Sequence, residues 1–251
     1  MHVLRGFIDL HCHFLPAIDD GARTPEDGIR MLQGLKQAGF STVCATPHMR
    51  PGMFENTRAT LEAAYEAMRP HIFAAGDSVP ETALASEHYF EDTVFERLVS
   101  GQGLPYPIMD ASRPPRRRGV LVEFNPMGFP LRLTDRISDL ARKGLFPVIA
   151  HPERYQPVWK DDHCLDPFLE AGARLLLDVC AVIGKYGRAA ERAATTLLEE
   201  GAYEAACSDA HRPEDAEATA QAITRLESLV GKAEAERLLS AGPRAILGNA
   251  P

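Results

Sequence analysis

No stretch of this chain approaches the roughly 20 apolar residues that a membrane-spanning helix requires, so membrane insertion is not expected. Positive charge is scarce: the formal net charge is −8. That balance disfavours general binding to nucleic acid or to anionic membranes through the field of the whole protein. Paired cysteines are also lacking. Cys12, Cys44, Cys164, Cys180 and Cys207 are scattered, odd in number and without CxxC spacing. They read as reduced thiols of a cytoplasmic protein rather than a disulfide framework or a structural zinc site. Asp9 and His11 come so early that a signal peptide has no room. No GxGxxG follows the first apolar run and no GxxxxGK[ST] occurs, so nucleotide cradles have no motif support.

What is present is a strand–helix rhythm. Hydrophobic residues make up 45% and charged residues 25% of the 251, which suits a globular chain with a real core. Patterning predicts strands over Gly6–Leu10, Ser41–Ala45, Val79–Ser86, Val120–Phe124, Phe146–Ala150, Arg174–Val179 and Tyr203–Cys207. It predicts helices over Pro25–Ala38, Asn56–Ala75, Phe90–Val99, Arg132–Lys143, Asp161–Ala171, Arg188–Glu200, Glu214–Val230 and Ala233–Leu239. Thr24 is an N-cap, Pro25 takes the first helical position and Gly39 is the stop. Gly101 to Gly119 reads as a loop that includes Asp110, and the run from Arg113 to Arg118 reads as a solvated basic loop. About seven β/α units without a convincing linker imply a single α/β domain, 1–251, with a parallel sheet. Chemistry at strand end after strand end favours a closed or nearly closed barrel over an open sheet, whose site would sit at one switch point.

That chemistry lies in short clusters, each closing an apolar run: Asp9-Leu10-His11-Cys12-His13, Thr46-Pro47-His48, Glu123, His151-Pro152-Glu153-Arg154, and Ser208-Asp209-Ala210-His211. Glu87 closes the weaker strand. A lone histidine at a strand end is more often structural than a ligand. However, charged residues are seldom buried unless paired or metal-bound, and Glu123 and His151 each follow a run that should be buried. One metal takes about four to six ligands, so nine or ten candidates imply two or three metals with bridging carboxylates. His11 and His13 can both face a barrel mouth, and alternation turns Cys12 away. Cys44 and Cys207 read as core. Asp9 can instead hold a ligand histidine. Asp19 and Asp20 are adjacent and are not expected both to bind, while Asp178 ends a strand without a ligand pattern around it.

At this point the chain resembles the bacterial PHP (polymerase and histidinol phosphatase) superfamily. Within it, the chain is similar to the manganese-dependent protein tyrosine phosphatases of capsule and exopolysaccharide operons. The matching stretches are Asp9-Leu-His-Cys-His13, Asp19-Asp20-Gly21, Ala45-Thr-Pro-His48 with Gly52-Met-Phe-Glu55, Val122-Glu123-Phe124, Val148 to Tyr155, Ser208-Asp209-Ala-His211, and Gly242 to Asn249. The resemblance implies a distorted TIM-like (β/α)7 barrel holding three divalent metal ions, manganese first, with iron or zinc as alternatives. It assigns one metal to His11, His13, Glu87 and Asp209, a second to Glu87, Glu123 and His151, and a third to Asp20, His48 and His211. Where the family has Gly-Ala-Glu, this chain has Ala85-Ser86-Glu87.

The implied reaction is hydrolysis of phosphotyrosine on protein, with a bacterial tyrosine kinase tail as partner and a metal-bridging hydroxide as nucleophile. Arg154, Asp209 and His211 are the expected catalytic residues, and Arg154, Arg50 and Arg212 the expected phosphate contacts. The family's second arginine lies further beyond the last histidine than Arg212 does. No Cys-x5-Arg signature occurs, which disfavours a thiolate mechanism. Histidinol-phosphate hydrolysis by a nearly identical site is the alternative within the superfamily. An amidohydrolase site is the alternative outside it, but that pattern leaves Asp20 and His48 unexplained and wants a histidine at the end of Arg174–Val179, where there is none. A non-catalytic metal-stabilised binding module would tolerate gaps in the ligand set, and the set has none.

Overall fold

Among the described residues the chain forms nine strands: β1 Phe7–Cys12, β2 Phe40–Ala45, β3 His48–Met49, β4 Glu81–Leu84, β5 Glu87–Tyr89, β6 Arg118–Glu123, β7 Leu145–Ala150, β8 Arg174–Asp178 and β9 Tyr203–Cys207. This computed structural model describes residues 6–109, 112 and 114–248. Asp110 of the expected loop, Arg113 of the basic run and Asn249 of the C-terminal segment lie outside the described residues.

All paired strands are parallel, in the orders β1-β2-β4 and β3-β5-β6-β7-β8-β9. Two residues separate β2 from β3, and two separate β4 from β5. Each of these pairs forms one stave, so nine strands make seven staves. Backbone hydrogen bonds carry across both seams: Ala85 donates to Ala45 at 2.8 Å and Asp209 to His11 at 2.9 Å. The architecture is a distorted TIM-like (β/α)7 barrel.

Alternation along the strands separates two cores. Ile8, Leu10, Cys44, Leu121, Val148, Ala150, Leu176, Ala205 and Cys207 form one buried cluster, the barrel filling. Val43, Val120, Val122, Ile149, Leu175 and Leu177 belong to the larger cluster shared with the surrounding helices. The first helices are α1 (Pro25–Ala38), α2 (Arg58–Ala75), α3 (Asp92–Val99) and α4 (Leu133–Arg142). α1 begins where the Thr24 side chain accepts from the Asp27 N–H, and it ends at Gly39 with φ 112°. That left-handed conformation favours glycine.

The structure departs from the sequence reading in four places. β3 is two residues long, too short for periodicity to reveal. Glu87 opens β5 instead of closing the preceding strand. The helix expected over Asp161–Ala171 is broken: Gln156–Lys160 and Asp166–Glu170 are separate short helices, each begun by a proline, with a 3-10 turn over Asp162–Leu165 between them. A proline suits the first turn of a helix but not its interior, so Pro157 and Pro167 act as starts. The helical tail also divides, into Lys232–Glu236, a π turn over Arg237–Ala241, and Gly242–Ile246.

Candidate metal centre

The C-terminal ends of the staves deliver polar side chains to one mouth. In β1 the pairing register shifts between Asp9 and Cys12; the strand presents His11, and His13 follows just past its end, both fully buried. Cys12 packs into the outer core. Glu87 and Glu123 sit two positions beyond the barrel-filling Ala85 and Leu121, and so on the same strand face. His151 and Asp209 adopt φ of 36° and 45°, conformations rare for non-glycine residues. Each stands just past its strand, where this backbone turns the chain out of the barrel wall; such strain clusters at functional sites. Gly21 is required by close approach, because a Cβ there would lie 2.2 Å from the His13 carbonyl oxygen.

All nine predicted ligands fall into four overlapping groups whose donor atoms lie within 4.8 Å of one another. The groups are His11, His13 and Asp209; His11, Glu87 and His151; His48, Glu87 and Glu123; and His13, Asp20, His48 and His211. His11 Nε2 lies 3.1 Å from His13 Nε2, 3.1 Å from Asp209 Oδ1 and 3.2 Å from Glu87 Oε2. Glu87 also reaches His48 Nδ1 at 2.9 Å and His151 Nε2 at 3.2 Å. Glu123 groups with His48 rather than with His151. His13 joins the Asp20, His48 and His211 group as well.

Local hydrogen bonds fix several imidazole tautomers. His13 Nδ1 lies 2.8 Å from Asp19 Oδ2, and a carboxylate only accepts, so Nδ1 carries the proton and Nε2 keeps its lone pair. His211 Nδ1 lies 3.0 Å from the Asp209 carbonyl, which orients it the same way. His88 points the other way from Glu87: it accepts from the Leu104 N–H at 3.1 Å and donates to the Leu121 carbonyl at 2.9 Å. Burial lowers its pKa to about 4, so it is a neutral structural pin. Asp9 holds no ring. Its Oδ1 accepts the backbone N–H of His11 at 3.2 Å and of Ser208 at 3.1 Å, tying β1 to the chain after β9.

The electrostatics follow from burying many charges together. Burial opposes ionisation of Glu87, but His11 and His48 outweigh it and hold its carboxyl well below the usual range. Burial, reinforced by the charge of Glu87, pushes Glu123 up to about 7. Burial and the nearby Arg154 push His151 down. Buried like charges are costly unless a counter-charge is close. Glu123 Oε2 and Asp209 Oδ1 are buried and make no hydrogen bond, so each has lone pairs to offer a cation. The donor set of imidazoles and carboxylates, with no thiolate, suits divalent manganese, iron or zinc. The residues therefore fit a cluster of divalent ions.

Arg154 borders this cluster. Its guanidinium donates to Asp178 Oδ2 and to Asp209 Oδ2, and lies 3.7 Å from the Tyr186 ring centre. Glu153, fully buried, accepts the Asp178 N–H at 3.0 Å and the Tyr203 hydroxyl at 2.9 Å. Arg50 stands 4.0 Å over the Tyr89 ring. Arg212 is exposed beside His211, and its backbone N–H caps the helix Pro213–Val230 through Asp215. Sequence reasoning assigned no role to Asp19, Asp178, Glu153 or Tyr186. The strand-end position of Asp178 was a usable signal. Tyr186 gave none.

The chain matches the family described as capsular polysaccharide synthesis, CpsB/CapC, over residues 7–248. It is 29% identical to tyrosine-protein phosphatase YwqE of Bacillus subtilis over 210 residues, 81% of this chain and 77% of that one. It is 24% identical to tyrosine-protein phosphatase CpsB of Streptococcus pneumoniae over 249 residues, 96% of this chain and 98% of that one. A crystal structure from work on these two proteins, described as unique metal-dependent tyrosine phosphatases, superposes with a TM-score of 0.84 at 28% identity, covering 97% of this chain and 95% of that one. The phosphotriesterase homology protein of Escherichia coli shares the fold alone, with a TM-score of 0.59 at 12% identity over 98% of this chain and 99% of that one.

Proposed function

Because this chain belongs to the capsular polysaccharide synthesis CpsB/CapC family, we propose that it is a metal-dependent protein tyrosine phosphatase of the PHP superfamily. The observation that carries the reading is the convergence of all nine ligand side chains at one barrel mouth with the guanidinium of Arg154 at their edge. Its relatives YwqE and CpsB are named as tyrosine-protein phosphatases. Three divalent ions, manganese foremost, would be held by His11, His13, Asp20, His48, Glu87, Glu123, His151, Asp209 and His211. Such ions make a bound water acidic enough to act as a nucleophile near neutral pH and offset phosphate charge.

The chain's own residues do the rest. Asp209 presents Oδ1 to His11 and His13 and Oδ2 to Arg154, so it registers the guanidinium against the ligand cluster. Arg154 is placed to take phosphate oxygens in its planar fork. Arg50 and Arg212 add positive charge at the lip. His211 keeps its proton on Nδ1, toward the Asp209 carbonyl, and turns Nε2 to the cluster. The tyrosine leaves as a phenolate with an ordinary pKa of about 10, so a strong general acid is not required.

We place the protein in the cytoplasm as a single domain. The free thiols support this, as does the finding that no helix among the described residues is long and apolar enough to cross a membrane. The substrate-bearing partner is a bacterial tyrosine kinase of polysaccharide synthesis. The test is to reconstitute the purified protein with manganese, iron or zinc in turn and assay a phosphotyrosine peptide beside histidinol phosphate. Preference for the peptide is expected. Preference for histidinol phosphate overturns the substrate assignment, and no turnover of either overturns the activity.

A further inference from the structure

A groove of about 680 Å³ opens on the mouth side, between the loop after β5 and the loop after β6. None of the nine ligand side chains lines it, but it lies directly beyond two of them along the chain. Tyr89 and Asn125 line it, and each stands two residues beyond a ligand carboxylate, Glu87 and Glu123, on neighbouring strands. Two residues of strand advance the chain about 7 Å, roughly the length of a phenyl phosphate. The far wall carries Met127, 67% exposed, and Leu131, 88% exposed. This exposure is built in. Between the two, Phe129 packs edge-on against Phe124, Tyr155 and Phe168 at centroid distances of 5.6, 5.7 and 5.1 Å, which anchors the loop. Exposed apolar side chains that line a groove rimmed by polar residues supply a surface on which an apolar group can be buried. The charges here do not favour an acidic occupant: Asp92 is paired with Arg136, and Glu91 adds a further negative charge.

We propose that this groove receives the polypeptide flanking the phosphotyrosine and selects an apolar residue next to it. Met127 and Leu131 act as specificity-determining contacts. The inference rests on the phosphatase reading above and adds what the enzyme recognises beyond the phosphoryl group.

The test compares para-nitrophenyl phosphate, too short to reach the far wall, with two phosphotyrosine peptides bearing leucine or glutamate beside the phosphotyrosine. The metal-loaded wild type should prefer the leucine peptide. Met127→Asp and Leu131→Asp should each lower kcat/KM for that peptide roughly tenfold, through KM, as loss of an apolar contact does. Their turnover of para-nitrophenyl phosphate should persist, which also reports an intact fold. Phe73→Asp, at an exposed position on α2, is the control and should change neither. Equal losses on both substrates, no loss on the peptide, or a preference for the glutamate peptide overturns the groove assignment. If the wild type hydrolyses para-nitrophenyl phosphate but neither peptide, the protein-substrate reading fails and the groove assignment with it. If it hydrolyses none of the three, the phosphatase reading itself fails.

Discussion

His13 Nδ1 lies 2.8 Å from Asp19 Oδ2, whereas the next carboxylate, Asp20, reaches His48 at 3.4 Å and His211 at 3.5 Å. Adjacent residues thus take different tasks. Asp19 orients a ligand from behind and Asp20 faces the cluster. Replacing Asp19 by Asn removes the charge that holds the His13 ring, and losses of this kind typically cost about 10–100-fold in metal affinity. Competition with a chelator should register that loss while the circular dichroism spectrum stays native. Unchanged affinity would mean that Asp19 only shapes the turn before Gly21.

Asp178 and Tyr186 hold Arg154 from two sides. Arg154→Lys keeps the charge but loses the fork, and kcat should fall by roughly 100-fold or more. Asp178→Asn leaves the guanidinium in place but less constrained, and a smaller loss, on the order of tenfold, is expected. Steady-state kinetics at saturating metal decide between them. An equal effect of the two would mean that Asp178 does more than position Arg154.

Glu153 is buried, and that burial, aided by the charge of Asp178, raises its pKa to about 8. Between its ordinary value of about 4.5 and 8 the folded state keeps a proton that the unfolded state releases. Stability should therefore fall as pH rises through this window, by at most about 1.4 kcal/mol per pH unit. In Glu153→Gln that contribution disappears. Thermal melts from pH 5 to 8 should be flatter for the variant than for the wild type, and parallel curves would refute the assignment.

Chelation should destabilise the whole domain, because the ligands come from β1 and the segment after it, from β3, β5 and β6, and from the turns after β7 and β9. Metal at about 100 times its dissociation constant contributes about 2.7 kcal/mol per independent site. Calorimetry with and without EDTA should show a lower melting temperature that added manganese restores. An unshifted melt would mean that folding and ion binding are uncoupled.

Leu176 lies at 0% exposure in the barrel filling beneath the mouth. Leu176→Ala should cost about 2–5 kcal/mol, measurable by urea unfolding. A cost under about 1 kcal/mol would mean that the interior collapses around the gap.

Much of this was legible in one dimension. α1 begins and ends at its sequence-marked cap and stop, because capping is a local hydrogen-bond requirement. Seven expected strands became seven staves, most of them apolar runs because strands buried on both faces are largely apolar; the third stave, Glu81–Leu84 with Glu87–Tyr89, is the polar exception. β3 and the break within the helix expected over Asp161–Ala171 were not legible: two residues carry no period, and a 3-10 turn of four residues is too short to show in the pattern.

The residue types of the site were also written in the sequence, since a carboxylate or imidazole closing a buried run has few other reasons to be there. Their partition was not. Asp19 and Asp20 differ by one position, yet one stands behind His13 and the other beside His48 and His211. Asp178 looked isolated until β7 and β8 paired and brought Arg154 onto it. Sequence determines which groups need a partner, because burial penalises an unpaired charge wherever it falls. Only the assembled barrel decides which partner each receives, because that depends on distances of a few ångströms between residues up to about 200 positions apart.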